Sequence, residues 1–168
     1  MSTTEQATPE GTNETIYQLV SFVVENEEFG VDILKVQEII RTVEITRVPK
    51  SPEFVEGVIN LRGKIVPVVD LRKRFGIAKK DHDNETRIIV VELPDKVVGF
   101  LVDKVKEVIR VEKSTIEPPP ELTTNIESTY ITGVAKLQDR LLILLDLDKV
   151  LSADEQEHLT EISQEQSG

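Results

Sequence analysis

Along most of the chain, apolar positions either alternate with polar ones or run in short blocks rich in valine and isoleucine. Tyr17-Gln18-Leu19-Val20-Ser21-Phe22-Val23-Val24 is β-branched and partly alternating, Asn26-Glu27-Glu28 supplies a turn, and Phe29-Gly30-Val31-Asp32-Ile33 returns, which predicts a hairpin. Arg87 to Leu93, Pro94-Asp95-Lys96 and Val97 to Val102 repeat that arrangement. Pro67 interrupts Ile65-Val66-Pro67-Val68-Val69; lacking an N–H to give a ladder, it places its strand at a sheet edge or makes it carry a bulge. Asp70 is positioned to cap a helix from Leu71 to Phe75 that stops at Gly76. Lys79-Lys80-Asp81-His82-Asp83-Asn84 is a polar connector at the midpoint of the body.

The two ends read differently. Residues 1–14 are polar, without an apolar pattern, and are expected to be a disordered acidic tail because they cannot offset their own ordering entropy. Ser152-Ala153-Asp154-Glu155 fits a capping box, with Leu159 and Ile162 behind it, so residues 152–168 are expected to form a short C-terminal helix that frays before Gly168.

Internal repetition organises the body. Sliding Gly30 to Arg41 forward by 69 residues lays it on Gly99 to Arg110 with six of twelve positions identical. A slide of 76 lays Gly57 to Phe75 on Gly133 to Leu151. The seven extra residues fall around Glu117-Pro118-Pro119-Pro120-Glu121-Leu122, an enlarged loop in the second copy. Residues 15–151 are therefore expected to be mainly β and to comprise two copies of one small barrel, intertwined, with repeat blocks at 30–75 and 99–151, each too small to bury enough alone. Features shared by the copies, such as Gly57 with Gly133 and Asp70 with Asp146, read as scaffold. Arg62 differs: it stands on a tight turn where the second copy has Gln138, so it reads as a fork-shaped donor that the fold does not require.

Composition narrows the chemistry. The 168 residues carry a net charge of −11, but eight of those charges sit in the two tails and the body is close to neutral. There is no cysteine, and His82 and His158 are the only histidines, which removes thiol nucleophiles and cysteine-ligated metals and leaves little for a histidine metal site. No phosphate-binding glycine loop is present, so catalysis is not expected and no cofactor is assigned. Residues 57–80 gather Arg62, Lys64, Arg72, Lys73, Arg74, Lys79 and Lys80, a basic cluster compatible with single-stranded nucleic acid. Against that stand the absence of interleaved aromatics and the expectation that the helix at 71–75 turns its three cations to solvent as an ordinary charged face. The start lacks a signal-peptide pattern and no apolar run is long enough to span a bilayer, so a cytoplasmic location is expected.

Gly57-Val58-Ile59-Asn60-Leu61-Arg62-Gly63-Lys64-Ile65-Val66-Pro67-Val68-Val69-Asp70-Leu71-Arg72 resembles the signature of the CheW family of chemotaxis coupling proteins. Phe29 to Ile39 resembles its upstream block and Tyr130-Ile131-Thr132-Gly133-Val134 its downstream one, so the likeness runs from about Glu14 to about Leu151. The resemblance implies two packed SH3-like five-stranded β-barrels with short helices. It also implies a non-catalytic adaptor joining the cytoplasmic tips of methyl-accepting chemotaxis receptors to the regulatory domain of the histidine kinase CheA. Contact with the membrane would then be indirect, through recruitment to receptor arrays.

By motif match, the family's receptor-binding groove falls on Ile33, Val36, Glu38, Ile39, Gly57, Arg62, Val105 and Val108, with Glu38 and Arg62 close enough in kind to pair with each other. Kinase and ring contacts fall on Gly57, Pro120 and Leu122. The alternatives are a CheW-like regulatory module of another kinase pathway and a barrel that binds single-stranded nucleic acid.

Overall fold

The computed structural model describes residues 15–118 and 130–151. In chain order it contains β1 (Ile16–Val24), β2 (Glu27–Asp32), β3 (Val36–Arg41), β4 (Val55–Leu61), β5 (Lys64–Asp70), α1 (Leu71–Arg74), β6 (Arg87–Glu92), β7 (Val97–Val102), β8 (Lys104–Glu112), β9 (Ile116–Glu117), β10 (Ile131–Lys136), β11 (Leu141–Leu145) and α2 (Leu147–Val150). One sheet has the order β8-β1-β2-β11-β10-β9 and the other β3-β6-β7-β5-β4. The fold is mainly β, in two barrel-like sheets. The tail segments 1–14 and 152–168, and Pro120 and Leu122 of the enlarged loop, lie outside the described residues.

Placing the sheets side by side makes the duplication explicit, strand for strand: β8 answers to β3, β1 to β6, β2 to β7, β11 to β5 and β10 to β4. Even the parallel registers agree, since Gly99 pairs with Val68 and Gly30 with Leu144. The sequence copy and the barrel are nevertheless different units. Each sheet takes its leading hairpin from one copy and its remaining strands from the other, so the chain crosses between sheets after Asp32 and again at Asp103. β9, two residues long, brings the sheet of the second barrel to six strands; in the first barrel, built on β3, β6, β7, β5 and β4, its place is taken by a single bridge from Thr46 to Val58.

Side chains alternate across the strands, as the two-residue period requires. On one face of the β3-to-β4 sheet, Ile59, Val66, Val68, Ile88, Val90 and Leu101 form a cluster, and Leu19, Val111, Ala135, Leu142 and Leu144 form its counterpart in the other sheet. The opposite faces meet in a larger shared cluster that includes Phe22, Phe29, Val69, Ile89 and Phe100. Through it runs an aromatic chain, Phe22 to Phe29 to Phe75 to Tyr130, with centroids 5.7, 5.4 and 5.8 Å apart. Each such buried ring contributes roughly 1.5–3 kcal/mol by area, which binds the barrels together. All five phenylalanines are consumed in burial, so none is left as a platform for nucleobases.

Two expectations about this region change. β5 is an internal strand between β7 and β4, not an edge, and the bulge lies in its partner β4, between Val55 and Gly57. Pro67 is tolerated because the registered parallel ladder with β7 begins only at Val68. The helix is where its cap predicts, with Asp70 accepting from the Arg72 N–H at 2.9 Å, but its three cations do not face solvent. Arg72 is buried against Asp103, Lys73 meets Glu56 at 3.1 Å, and Arg74 lies over the Phe54 ring while donating to the Val150 carbonyl. The helix is too short to have a solvent face of its own, and packing against the neighbouring elements draws the cations into cross-links. The helix's three cations are thereby engaged in internal contacts, which weakens the cluster's claim on nucleic acid.

A candidate docking surface on the first barrel

β3 and β8 are equivalent edge strands, and five of the sequence-predicted receptor residues, Val36, Glu38, Ile39, Val105 and Val108, lie on them. Val36 and its counterpart Val105 are half-buried against the shared cluster, as is Ile33 in the short 3-10 turn (Ile33–Lys35) that precedes β3. Ile39 and its counterpart Val108 face outward, 39% and 54% exposed. A bulge between Val36 and Glu38 shifts the register by one residue, so that Val36 pairs with Val91 and Ile39 with Ile89 on one face of the sheet, while Glu38 stands beside Val90.

Arg62 sits at the tip of the β4–β5 hairpin with φ of 52°, followed by Gly63 at 86°, the paired left-handed conformation of a two-residue hairpin turn. Asn60 braces the turn by accepting from the Gly63 N–H at 2.8 Å. From there the guanidinium reaches across to β3 and engages both Glu38 oxygens, one of them at 3.2 Å. The pair therefore links the two edge elements of the five-stranded sheet. Hydrogen bonding from Arg62 holds the Glu38 carboxyl below its ordinary range, and Glu38 in turn raises Arg62. With the Arg62 side chain 67% exposed, the bridge remains open to solvent and to exchange with another partner.

Gly57 belongs to a different class. It is buried at the β4 bulge with φ of 153°, and an added Cβ would strike the Thr46 carbonyl oxygen and approach Ile45 Cγ2 to 2.8 Å. Its position is explained by close backbone packing, as is that of Gly133, whose Cβ would come within 2.7 Å of Ile116. The second barrel also corrects the argument that singled out Arg62. Arg140, two positions beyond Gln138, donates to Glu107 at 3.0 Å, and Glu107 is the counterpart of Glu38. A bridge from edge strand to hairpin is thus common to both barrels, supplied from different turn positions. What distinguishes Arg62 is exposure: Arg140 is also held by Glu28 at 2.7 Å and by Asp139, whereas Arg62 has Glu38.

Among the described residues no group of three His, Cys, Asp or Glu side chains could hold a metal ion, and no helix is long and apolar enough to cross a membrane. A docking surface is the chemistry this arrangement supports: exposed aliphatic side chains beside a solvent-accessible, exchangeable ion pair.

The family model described as a CheW-like domain matches residues 18–155. The chain belongs to the CheW-like family. Chemotaxis protein CheW of Klebsiella aerogenes is 43% identical over 143 residues, covering 84% of this chain and 86% of its own length. The protein of the same name from Helicobacter pylori is 38% identical over 143 residues with the same coverage. Among solved structures, the scaffolding protein TtCheW from Thermoanaerobacter tengcongensis aligns with a TM-score of 0.76 at 43% identity, over 83% of this chain and 94% of that one. CheW-like membership makes this a chemotaxis scaffold protein, and its two barrels are the family's architecture.

Proposed function

We propose that this protein couples the cytoplasmic tips of chemotaxis receptors to the regulatory domain of the kinase CheA, without catalysis of its own, and that this recruits it from the cytoplasm to receptor arrays. The observation that carries the reading is the exposed Glu38–Arg62 pair standing beside the exposed Ile39 on an edge strand. A helical hairpin laid along β3 would bury Ile39 and the margin formed by Ile33 and Val36, while Glu38 and Arg62 set its register through charge. Val105 and Val108 offer the matching aliphatic positions on β8. Gly57 is held by close packing against Thr46 and Ile45, and its part in docking is to shape the β4 backbone. Kinase contacts are assigned to strand edges at the barrel ends, where unpaired backbone groups are available.

The test is CheA autophosphorylation in mixtures with receptor cytoplasmic fragments, with and without this protein, together with sedimentation for a ternary complex. Activation that requires all three components is the expected result. No complex and no change in kinase activity across several receptor types would overturn the proposal and favour a regulatory module acting on a different kinase.

A further inference from the structure

Arg72, the last residue of the signature segment, has no part in the docking surface, yet it is the most heavily engaged cation described. Its Nε donates to Asp103 Oδ1 at 2.8 Å and its Nη2 to Asp103 Oδ2 at 2.6 Å. Nη1 donates to the Ala78 carbonyl at 2.8 Å, and Nη2 also reaches Glu25 at 3.2 Å. Asp103 is tied in turn to the other barrel: its backbone N–H donates to the Val23 carbonyl at 3.1 Å, and its Oδ2 accepts from the Glu25 N–H at 2.8 Å. The Arg72 and Asp103 side chains are only 9% and 12% exposed.

Location gives this cluster its meaning. Asp103 is the single residue between β7 and β8, where the chain passes from one sheet to the other. Arg72 comes from α1 on the first barrel, and Val23 and Glu25 from the end of β1 and the turn after it on the second. The same logic that separates scaffold from function between the copies applies here. The counterpart of Arg72 is Asp148, and the counterpart of Asp103 is Leu34, which is 88% exposed at the other crossover. That crossover has the single, more exposed pair Lys35–Asp148 at 2.8 Å, with side chains 44% and 29% exposed. Building a barrel therefore does not call for a buried bidentate clasp at its crossover; only one of the two has it.

We propose that Arg72 is a positioning residue whose bidentate clasp on Asp103 holds the two barrels at one fixed mutual orientation, so that partners bound at separate sites on the scaffold are coupled. Resting on the adaptor reading above, this adds the element that makes the scaffold rigid. Two partners bound to one scaffold influence each other only if the connection between their sites has a defined geometry. A bidentate guanidinium–carboxylate pair supplies direction as well as attraction, which an ammonium or an apolar contact does not.

The test is a pair of variants made in the full chain. Because the protein has no cysteine, spin labels introduced at Gln18→Cys on β1 and Glu92→Cys on β6 report one inter-barrel distance. Arg72→Met with Asp103→Leu replaces the buried pair by apolar groups of similar volume, a change that folded proteins commonly tolerate. Arg72→Lys keeps the cation but loses the fork. The double variant is expected to melt within about 4 °C of the parent, to show a broadened or displaced distance distribution, and to bind receptor and kinase fragments singly as before. Kinase activation in the three-component mixture is expected to fall at least about fivefold. Arg72→Lys is expected to broaden the distribution to a smaller degree, which keeps the question open to measurement should the double variant not fold.

A distance distribution as narrow as the parent's in whichever of these variants folds would overturn the proposal, as would full activation by a folded double variant with a broadened distribution. If the parent itself fails to activate the kinase, the adaptor reading falls, while the distance measurement still decides whether Arg72 fixes the barrels.

Discussion

Arg140 Nη2 lies 3.0 Å from a carboxylate oxygen of Glu107, and this contact repeats in the second barrel the bridge that Arg62 makes to Glu38 in the first. Because the same link from edge strand to hairpin exists twice, its presence alone does not mark a site. Exposure separates the two, with side-chain values of 67% for Arg62 and 29% for Arg140. An exposed ion pair adds little to stability because water screens it, but it can be exchanged for a partner's charge without leaving a buried group unpaired.

Reversal of that charge makes the first prediction. Arg62→Glu is expected to leave the thermal transition in place and to weaken binding of receptor fragments, and Glu38→Arg combined with it is expected to restore part of the affinity. Calorimetric titration of the single and double variants measures both effects. A fall in melting temperature comparable to a core mutation would show that the bridge belongs to the fold.

Ile39 and Val36 separate docking from packing on one strand. Ile39 is exposed whereas Val36 packs against the shared cluster. Ile39→Ala is therefore expected to lower receptor affinity with stability nearly unchanged. Val36→Ala is expected to cost about 1 kcal/mol of unfolding free energy as well. Urea unfolding read beside the binding titration distinguishes them.

The glycines permit a contrast within one hairpin. Gly57→Ala forces a Cβ into the Thr46 backbone and is expected to cost about 2–4 kcal/mol. At Gly63 there is open space around the added carbon and only the positive φ of 86° to oppose, so Gly63→Ala is expected to cost about 1 kcal/mol. Equal denaturation midpoints for the two would contradict the close approach at Gly57.

Acid behaviour follows from Asp103. Burial pushes its carboxyl up, but hydrogen bonds from Arg72 and the Glu25 N–H outweigh this and hold it below the ordinary aspartate value of 3.8. A carboxyl depressed in the folded state contributes stability that is present above the unfolded value and is lost as pH falls through the folded one. Melting temperature is therefore expected to drop below about pH 4, and Asp103→Asn is expected to flatten that drop while lowering stability at neutral pH. Asp70 acts in the opposite sense: burial raises its carboxyl, so it does not contribute to the acid loss. An unchanged acid slope in Asp103→Asn would assign the transition to other carboxylates.

Much of the architecture was legible in the chain because it depends on short-range pattern. The strand periodicity, the Asp70 cap, the Arg62–Gly63 turn and the two repeat offsets are all local or self-comparative, and the strands, the helix start and the equivalent registers appear where those signals place them. The resemblance carried by Gly57 to Arg72 led to the family for the same reason, since a contiguous segment keeps its neighbours. Three-dimensional structure alone decided which copy lends its hairpin to which barrel, because a repeat seen along the sequence is silent about strand exchange. It also decided the fate of the cations. Arg72, Lys73 and Arg74 look alike as a charged run, yet Asp103 lies 31 residues from Arg72 and Val150 lies 76 from Arg74. Long-range partners of this kind are chosen by how the barrels pack, and that packing turned an apparent solvent face into the clasp between them.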